Sequence, residues 1–291
     1  MQSKHNIPNA ELFQETADKL MEIFANQSFA APIAYSIIRK NAAEIPVPFD
    51  SYSLMNKMIA IFIGHTEDSR GYRQWSEVGR HVKKGARSFK IIAPLTRKVE
   101  EEDKVTGEKK QKVIVYGFRG VPVFADWQTE PDDPNNDQLL KFDYTPDTDK
   151  LPYFLNVAES LGLTVKWRPM GGKDALGWYS PLDKSITMTS TDHLNYFHEL
   201  AHAVHDTFEP LKDVPTHKAE AVAETSAAIL CAMIGIEQEH QQQSYEYIQH
   251  YCKDKSPQGV LQKISSILAT VEKVVTIILN KAKELEENSA A

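Results

Sequence analysis

The chain has 291 residues and a formal net charge of -7, with 42% hydrophobic and 25% charged residues. These values are typical of a soluble globular protein with room for two domains, and apolar runs such as Met58 to Ile63 are far too short to cross a bilayer. The opening residues contain no apolar signal-peptide region, so we expect no signal peptide. Two cysteines, Cys231 and Cys252, form no disulfide framework, so we expect a cytoplasmic protein without membrane partners.

The charge is unevenly distributed along the chain. Residues 70–119 hold 14 Lys/Arg and 6 Asp/Glu, a local net charge of +8, whereas the rest holds 19 basic and 34 acidic residues, a net charge of -15. The overall acidity argues weakly against nucleic-acid binding, but two regions of opposite sign indicate two different functions.

The first 127 residues predict helices followed by a β-hairpin. Apolar positions recur every three or four residues in the first 65 residues, which favours helices, and the two later β-rich runs are separated by a charged stretch that contains Thr106-Gly107. The predicted elements are a helix around 13–24, a helix over 51–63, a short helix over 73–79, strands over 88–99 and 112–124, and a hairpin loop over 100–110. We therefore predict a small antiparallel sheet beside N-terminal helices.

The remaining chain predicts a linker and a second domain. Residues 128–150 are rich in Pro, Asp, Asn and Thr and lack apolar periodicity, which is typical of a linker. Residues 151–291 predict an opening helix, strands over 163–168 and 185–189 separated by a turn-rich segment over 171–178, and then four helices. The chain is therefore expected to be α+β: N-terminal helices with a hairpin or small antiparallel sheet, then a mainly helical domain with a small sheet.

The most specific pattern is H-E-x-x-H at residues 198–202, in an apolar, helix-favouring context. On a helix, His198 and His202 lie on one face and can both direct a ring nitrogen at one ion. Glu199 sits about 100° round the helix, where its carboxylate can reach a water rather than the ion. This division of roles predicts a metalloprotease site, with Glu199 as the general base.

Catalytic zinc has three protein ligands and an open position, so a third ligand is needed. His205 is one candidate, but it lies three residues after His202 on the same helix. It would extend the row of histidines along that helix and would not approach the ion from another direction. The Ala-rich helix that follows carries Glu220 and Glu224 four residues apart on one face. We assign Glu220 as the third ligand and Glu224 as the acceptor for the N–H of a ligating histidine. The expected cofactor is Zn²⁺, with Mn²⁺ as the alternative.

This two-helix arrangement resembles the gluzincin-type zinc peptidases, in which a glutamate on a second helix completes the site. The resemblance implies that Glu220 ligates the metal and Glu224 orients a ligand. It also implies a zincin-like metallopeptidase domain over 151–291. An oxyanion stabiliser is expected among Tyr179, Tyr251 and His217, which the sequence does not rank.

In the basic region, aromatic residues alternate with cations, a mixture that suits single-stranded nucleic acid because cations contact phosphates and rings stack on bases. This mixture, together with the run Tyr52-Ser53-Leu54-Met55-Asn56, points to a set of candidate DNA-contacting residues. They are Tyr52, Asn56, Arg73, Trp75, Lys83, Lys84, Arg87 and Arg119.

The whole pattern resembles the ArdC-type antirestriction proteins. The matching features are Tyr52-Ser53-Leu54-Met55-Asn56, Trp75 before Gly79, Val82-Lys83-Lys84-Gly85, Val123-Phe124 before Gln128, H-E-L-A-H at 198–202, and E-x-V-A-E-x-x-A-A-x-L-C at 220–231. The resemblance implies a domain over 1–127 that binds single-stranded DNA, a metallopeptidase-like domain over 151–291, and protection of incoming plasmid or phage DNA from restriction.

Two other interpretations remain open. The metal domain could be a structural relic, with antirestriction due to DNA binding alone. Alternatively, the protein could be a regulatory zinc peptidase that cleaves a host or element-encoded regulator, so that a protein substrate is a second partner beside DNA. The variant Glu199→Gln discriminates between them, because it removes the general base and keeps the metal ligands.

Overall fold

The computed structural model describes residues 10–26, 29–42, 46–102, 109–135, 139, 144–169, 176–236, 242–253 and 255–290. Its mixture of helix and sheet confirms the predicted α+β class. The helices are α1 (Ala10–Ala25), α2 (Ala30–Ala42), α3 (Leu54–Phe62), α4 (Tyr72–Glu77), α5 (Leu151–Leu155), α6 (Val157–Ser160), α7 (His193–Asp206), α8 (Thr216–Met233), α9 (Gln242–Cys252) and α10 (Pro257–Ala290). The strands are β1 (Ser69–Arg70), β2 (Arg80–Val82), β3 (Phe89–Glu102), β4 (Lys109–Ala125), β5 (Thr129–Pro131), β6 (Thr164–Trp167), β7 (Gly177–Ser180) and β8 (Ser185–Met188).

The predicted hairpin is formed by β3 and β4, which pair antiparallel from Phe89 opposite Val123 to Glu102 opposite Lys109. Both strands run further into the predicted loop than expected, and its Thr106-Gly107 centre lies outside the described residues. The register shifts between Leu95 and Thr96, where β4 carries an extra residue in a β-bulge. β1 extends this sheet by pairing with β4, and β2 pairs with β5 in a separate ribbon.

The sheet of the second part has the strand order β6-β8-β7. β6 and β8 confirm the two strands predicted from the sequence and pair in parallel, whereas β7 pairs antiparallel to β8 and forms an edge of the sheet. The sequence missed β7, because Gly177 and Trp178 were assigned to a turn-rich segment. Residues 171–175 of that segment lie outside the described part of the chain.

Helix α10 occupies the centre of the hydrophobic core. It begins at Pro257, which suits the first helical position because no intrahelical bond needs its missing N–H. Side chains such as Ile264, Val271 and Ile278 are fully buried, and each such burial is worth about 1.5–3 kcal/mol. α10 contacts α1 and α3 of the N-terminal part and α5, α7, α8 and α9 of the C-terminal part.

The two parts therefore share one core. α2 also packs against α8, the helix that carries Glu220. Within the expected linker, the Tyr144 hydroxyl donates to the carbonyl oxygen of Met233 at 2.6 Å. The division into 1–127, 128–150 and 151–291 remains a prediction, and in the structure the N-terminal helices form part of the support for the second helix of the candidate metal site.

Candidate metal centre and nucleic-acid surface

Helix α7 brings the two motif histidines together. The Asp192 side chain caps this helix by accepting the backbone N–H of Leu194 at 2.9 Å, which satisfies one of its free N-terminal donors. One turn apart on the same face, His198 and His202 have their Nε2 atoms 3.1 Å from each other. Two ring nitrogens at this distance converge on a common point, as ligands of one ion do.

Glu220 approaches from α8 and completes the set. Its carboxylate oxygens lie 3.4 Å from Nε2 of His198 and 3.5 Å from Nε2 of His202. Ligands about 2.0–2.1 Å from a tetrahedral ion are about 3.3–3.4 Å from one another, so the spacing suits one divalent cation. Among the described residues, these three form the one His/Cys/Asp/Glu group close enough to hold a metal ion.

Glu224 lies one turn further along α8, where its carboxylate is 3.3 Å from Nδ1 of His198. This position matches its expected role of accepting the second ring N–H of a ligand. Burial lowers the pKa of His198, but the hydrogen bonds to Glu220 and Glu224 dominate and raise it to about 10. The same histidines lower the pKa of Glu220.

Glu199 lines a cleft of about 400 Å³ together with His198, His202 and Glu220. Burial raises the pKa of its carboxyl group, which His198 and His202 and the backbone N–H of Tyr179 partly offset. A raised pKa moves a carboxylate towards the range that suits a general base. β7 passes close to Glu199 at Gly177. A Cβ atom at this glycine would lie 3.1 Å from Cγ of Glu199 and 2.9 Å from the Met188 sulfur.

Of the three oxyanion candidates, Tyr179 lies in this cleft. Its hydroxyl donates to Asp206 at 3.1 Å, and burial together with this carboxylate raises its pKa to about 12. His217 instead stacks beside His250, with ring centroids 4.3 Å apart, and the Tyr251 ring lies 3.7 Å from Nζ of Lys263. His217 and Tyr251 therefore do not line the cleft.

His205, the alternative third ligand, has a different partner. It is fully buried, and its Nε2 lies 2.9 Å from the carboxylate of Glu209. Glu209 also accepts from Lys218 of α8. The structure therefore places His205 in a separate buried contact between α7 and α8, while Glu220 is brought to the two motif histidines.

The structure separates the candidate DNA-contacting residues into two groups. Five cations are exposed, namely Arg73, Lys83, Lys84, Arg87 and Arg119. The other three are held inside the fold, which corrects their predicted role: Trp75 has no exposed surface and donates to the carbonyl of Phe124, Asn56 bonds both backbone groups of Ile92, and the half-buried Tyr52 donates its hydroxyl to the carbonyl of Ser69. Their polar groups stabilise the domain and are not available to bases or phosphates.

The comparisons agree with this architecture. Residues 11–124 match the family model of the N-terminal domain of anti-restriction factor ArdC. The metal-free structure of antirestriction protein ArdC from plasmid R388 has a TM-score of 0.57 at 17% identity, covering 94% of this chain and 98% of that chain. Its Mn(II)-bound structure has a TM-score of 0.55 at 19% identity, covering 93% and 98%. No curated protein matches the chain significantly.

Residues 11–124 of this chain form an ArdC N-terminal domain. The ArdC family model accounts for the N-terminal part, and the likeness to R388 ArdC extends the shared fold over nearly the whole chain. The predicted resemblance to ArdC-type proteins is thereby confirmed, while the metallopeptidase-like role of the C-terminal part stays a prediction. In the described part of the chain, no helix is both long and apolar enough to span a membrane.

The candidate DNA-contacting set left out aromatic residues that this fold exposes. Trp127 is 56% exposed, and its backbone carbonyl accepts from Lys83 at 2.9 Å. Tyr72 and Tyr116 are also largely exposed. Trp127 could have been suspected from its position directly after a strand and within the D-W-Q turn, and Tyr72 from its place among the cations of the basic region. Tyr116 does not stand out by sequence from the buried aromatic residues nearby.

Proposed function

We propose that this chain is an antirestriction protein of a plasmid or phage that binds single-stranded DNA through residues 1–127. It holds one divalent ion, zinc or manganese, with His198, His202 and Glu220. The observation that carries the proposal is the combination, in one chain, of an ArdC N-terminal domain with a three-ligand set at tetrahedral spacing. Such a protein acts in the cytoplasm, where incoming DNA meets restriction enzymes, and two cysteines that are not joined in a disulfide suit that compartment.

The cleft supports peptide hydrolysis as its chemistry. When bound, a divalent ion supplies a Lewis acid that activates water and polarises a carbonyl oxygen. Glu199 lines the cleft with a raised pKa and takes a proton from the attacking water as the general base. The backbone N–H of Tyr179 holds the Glu199 carboxylate in place.

The walls of the cleft support an extended peptide as the substrate. β7 lies at the edge of its sheet and lines the cleft through Gly177, Trp178 and Tyr179. Apart from the Tyr179 N–H, which bonds Glu199, an edge strand offers unpaired backbone groups to which an extended peptide can add by β-pairing. The Tyr179 hydroxyl, a candidate oxyanion stabiliser, instead donates to Asp206. This contact favours the alternative of a metal site without catalysis.

Glu199→Gln tests the catalytic part of the proposal. The variant should retain metal and single-strand affinity, because Glu199 is not in the ligand set, whereas loss of a general base slows the chemical step by about 10²–10⁴-fold. The measurements are metal content, DNA affinity and protection of a transferred plasmid in a restricting recipient. Glu159→Gln, an exposed change on α6, is the matched control. Full protection by Glu199→Gln would leave DNA binding as the only function of the chain in antirestriction.

A charge reversal in the full-length chain tests the DNA-binding part. Changing Lys83, Lys84 and Arg87 together to Glu should weaken binding to every single strand, since exposed cations neutralise phosphates and release counterions. The dependence of log affinity on log salt should become shallower by about 2, roughly 0.7 per lost contact. The control is the same reversal of three exposed lysines outside the region, Lys166, Lys212 and Lys253. Equal weakening by both triple variants would refute a specific DNA surface in residues 1–127.

A further inference from the structure

The β3–β4 hairpin continues beyond the body of the domain. At Gly117 it still packs closely, since a Cβ atom there would lie 3.3 Å from Nε2 of Gln258 near the start of α10. The β-bulge of β4 lies directly next to Gly117, opposite Leu95 and Thr96 of β3. We call residues 96–102 and 109–116, which lie beyond this point, the arm.

The arm exposes apolar and aromatic surface. Val113 is 60% exposed and Tyr116 is 56% exposed, and Val115 is also exposed. On the other strand, Thr96, Arg97 and Lys98 are exposed as well. A two-stranded ribbon without a packed face is only marginally stable in water, so exposed apolar groups on such a ribbon indicate a surface that a partner covers.

The side chains of the arm suit a strand of nucleic acid. The Arg97 guanidinium lies 5.9 Å from the centre of the Tyr116 ring, a cation–π distance that orients a ring at the surface. Lys98 lies directly opposite Val113, and Arg119 is exposed at the base of the arm. Glu100 lies further towards the tip. Flat rings beside cations bind single strands through stacking on bases and pairing with phosphates.

We propose that the single strand of DNA that binds beside Trp127 also binds the arm. This strand follows the hairpin from Trp127 to Tyr116. This inference rests on the proposed single-stranded DNA binding and extends it. β4 extends about 30 Å from Tyr116 to its end at Ala125, at about 3.3 Å per residue, and Trp127 follows two residues later. A strand that contacts both rings therefore spans roughly ten stacked nucleotides at about 3.4 Å each.

The test compares two lengths of oligothymidylate on the full-length protein. A strand of about 6 nucleotides reaches one ring and a strand of about 16 nucleotides reaches both, within the usual range of single-strand sites. The arm variant combines Arg97→Ser with Tyr116→Ser. Fluorescence anisotropy should show that it binds the long strand about tenfold more weakly than the wild type, since one stacked base is lost, and binds the short strand equally well. A long strand carrying 5-iodouracil should also photo-crosslink to the peptide that contains Tyr116.

The matched control replaces an equally exposed pair elsewhere, Lys166→Ser with Trp167→Ser on β6, where Trp167 is 58% exposed. It should bind both strands as the wild type does. Equal affinity of the arm variant and the wild type for the long strand would overturn the inference while leaving the proposed function intact, and so would an equal loss for both lengths. A wild-type protein that binds neither strand would overturn the proposed DNA binding and the inference together.

Discussion

The Nζ atom of Lys218 lies 2.8 and 2.9 Å from the two carboxylate oxygens of Glu209. The contact joins α8 to the segment after α7, and the carboxylate also pairs with the buried His205. Lys218 precedes Glu220 by two residues, and His205 follows His202 by three. The three side chains therefore tie together the two helices that carry the metal ligands, close to those ligands.

We predict that Lys218→Met lowers metal affinity, by about tenfold, because groups that support metal ligands typically contribute 10–100-fold to affinity. Lys218→Arg should recover most of the loss, since a guanidinium can also pair with Glu209. Competition with a chelator measures the affinity, and Lys212→Met, an exposed lysine in the loop before α8, is the control. Unchanged affinity in Lys218→Met would show that the contact stabilises the fold without positioning Glu220.

The purified protein should contain about one divalent ion per chain, as a single closed ligand set requires. Glu220→Ala should lose most of this metal, since it removes one of three converging ligands. His205→Ala should retain more, because the His205 ring faces Glu209. Elemental analysis of both variants decides the point, and equal metal loss would require another third ligand. Full occupancy after alanine replaces His198, His202 and Glu220 together would exclude the site.

The two tryptophans of residues 1–127, Trp75 and Trp127, should respond in opposite ways to replacement by alanine. Trp127→Ala should weaken single-strand binding by about five- to a hundredfold, the usual range for one stacked base, and change the unfolding temperature little. Trp75→Ala should lower the free energy of unfolding by about 3–5 kcal/mol, because a fully buried indole leaves a cavity. Anisotropy and urea unfolding measure the two effects. If the Trp75→Ala protein stays stable but loses DNA binding, Trp75 contacts DNA as its position in the sequence suggested.

Buried Lys57 should make stability depend on alkaline pH. Its Nζ donates to the carbonyl of Ser36 at 3.1 Å, and burial lowers its pKa to about 8. The folded state thus binds fewer protons than the unfolded state between about pH 8 and 10.5, so the free energy of unfolding rises with pH in this window, by at most about 3 kcal/mol. Urea unfolding at both ends of the window, compared with Lys57→Met, isolates this contribution. An identical pH dependence in the variant would contradict it.

Local spacing explains what the sequence determined. His198 and His202 face one point because four residues make about one helical turn, whatever surrounds the helix. The same logic placed Glu220 and Glu224 on one face of α8, and the alternating runs at 88–99 and 112–124 indicated the hairpin. These inferences depend on a period within one element. They identified the α+β class, the ArdC resemblance and a candidate metal set.

The tertiary structure decided which side chains are available. Trp75 and Trp127 have the same chemistry, but one is enclosed by the fold and the other lies after the end of β4, so only packing distinguishes them. His205 is directed to Glu209 because α8 brings Lys218 to that carboxylate, and β7 became a strand because β8 offers it a partner. Burial and long-range pairing join residues far apart in the chain, and no local period encodes them.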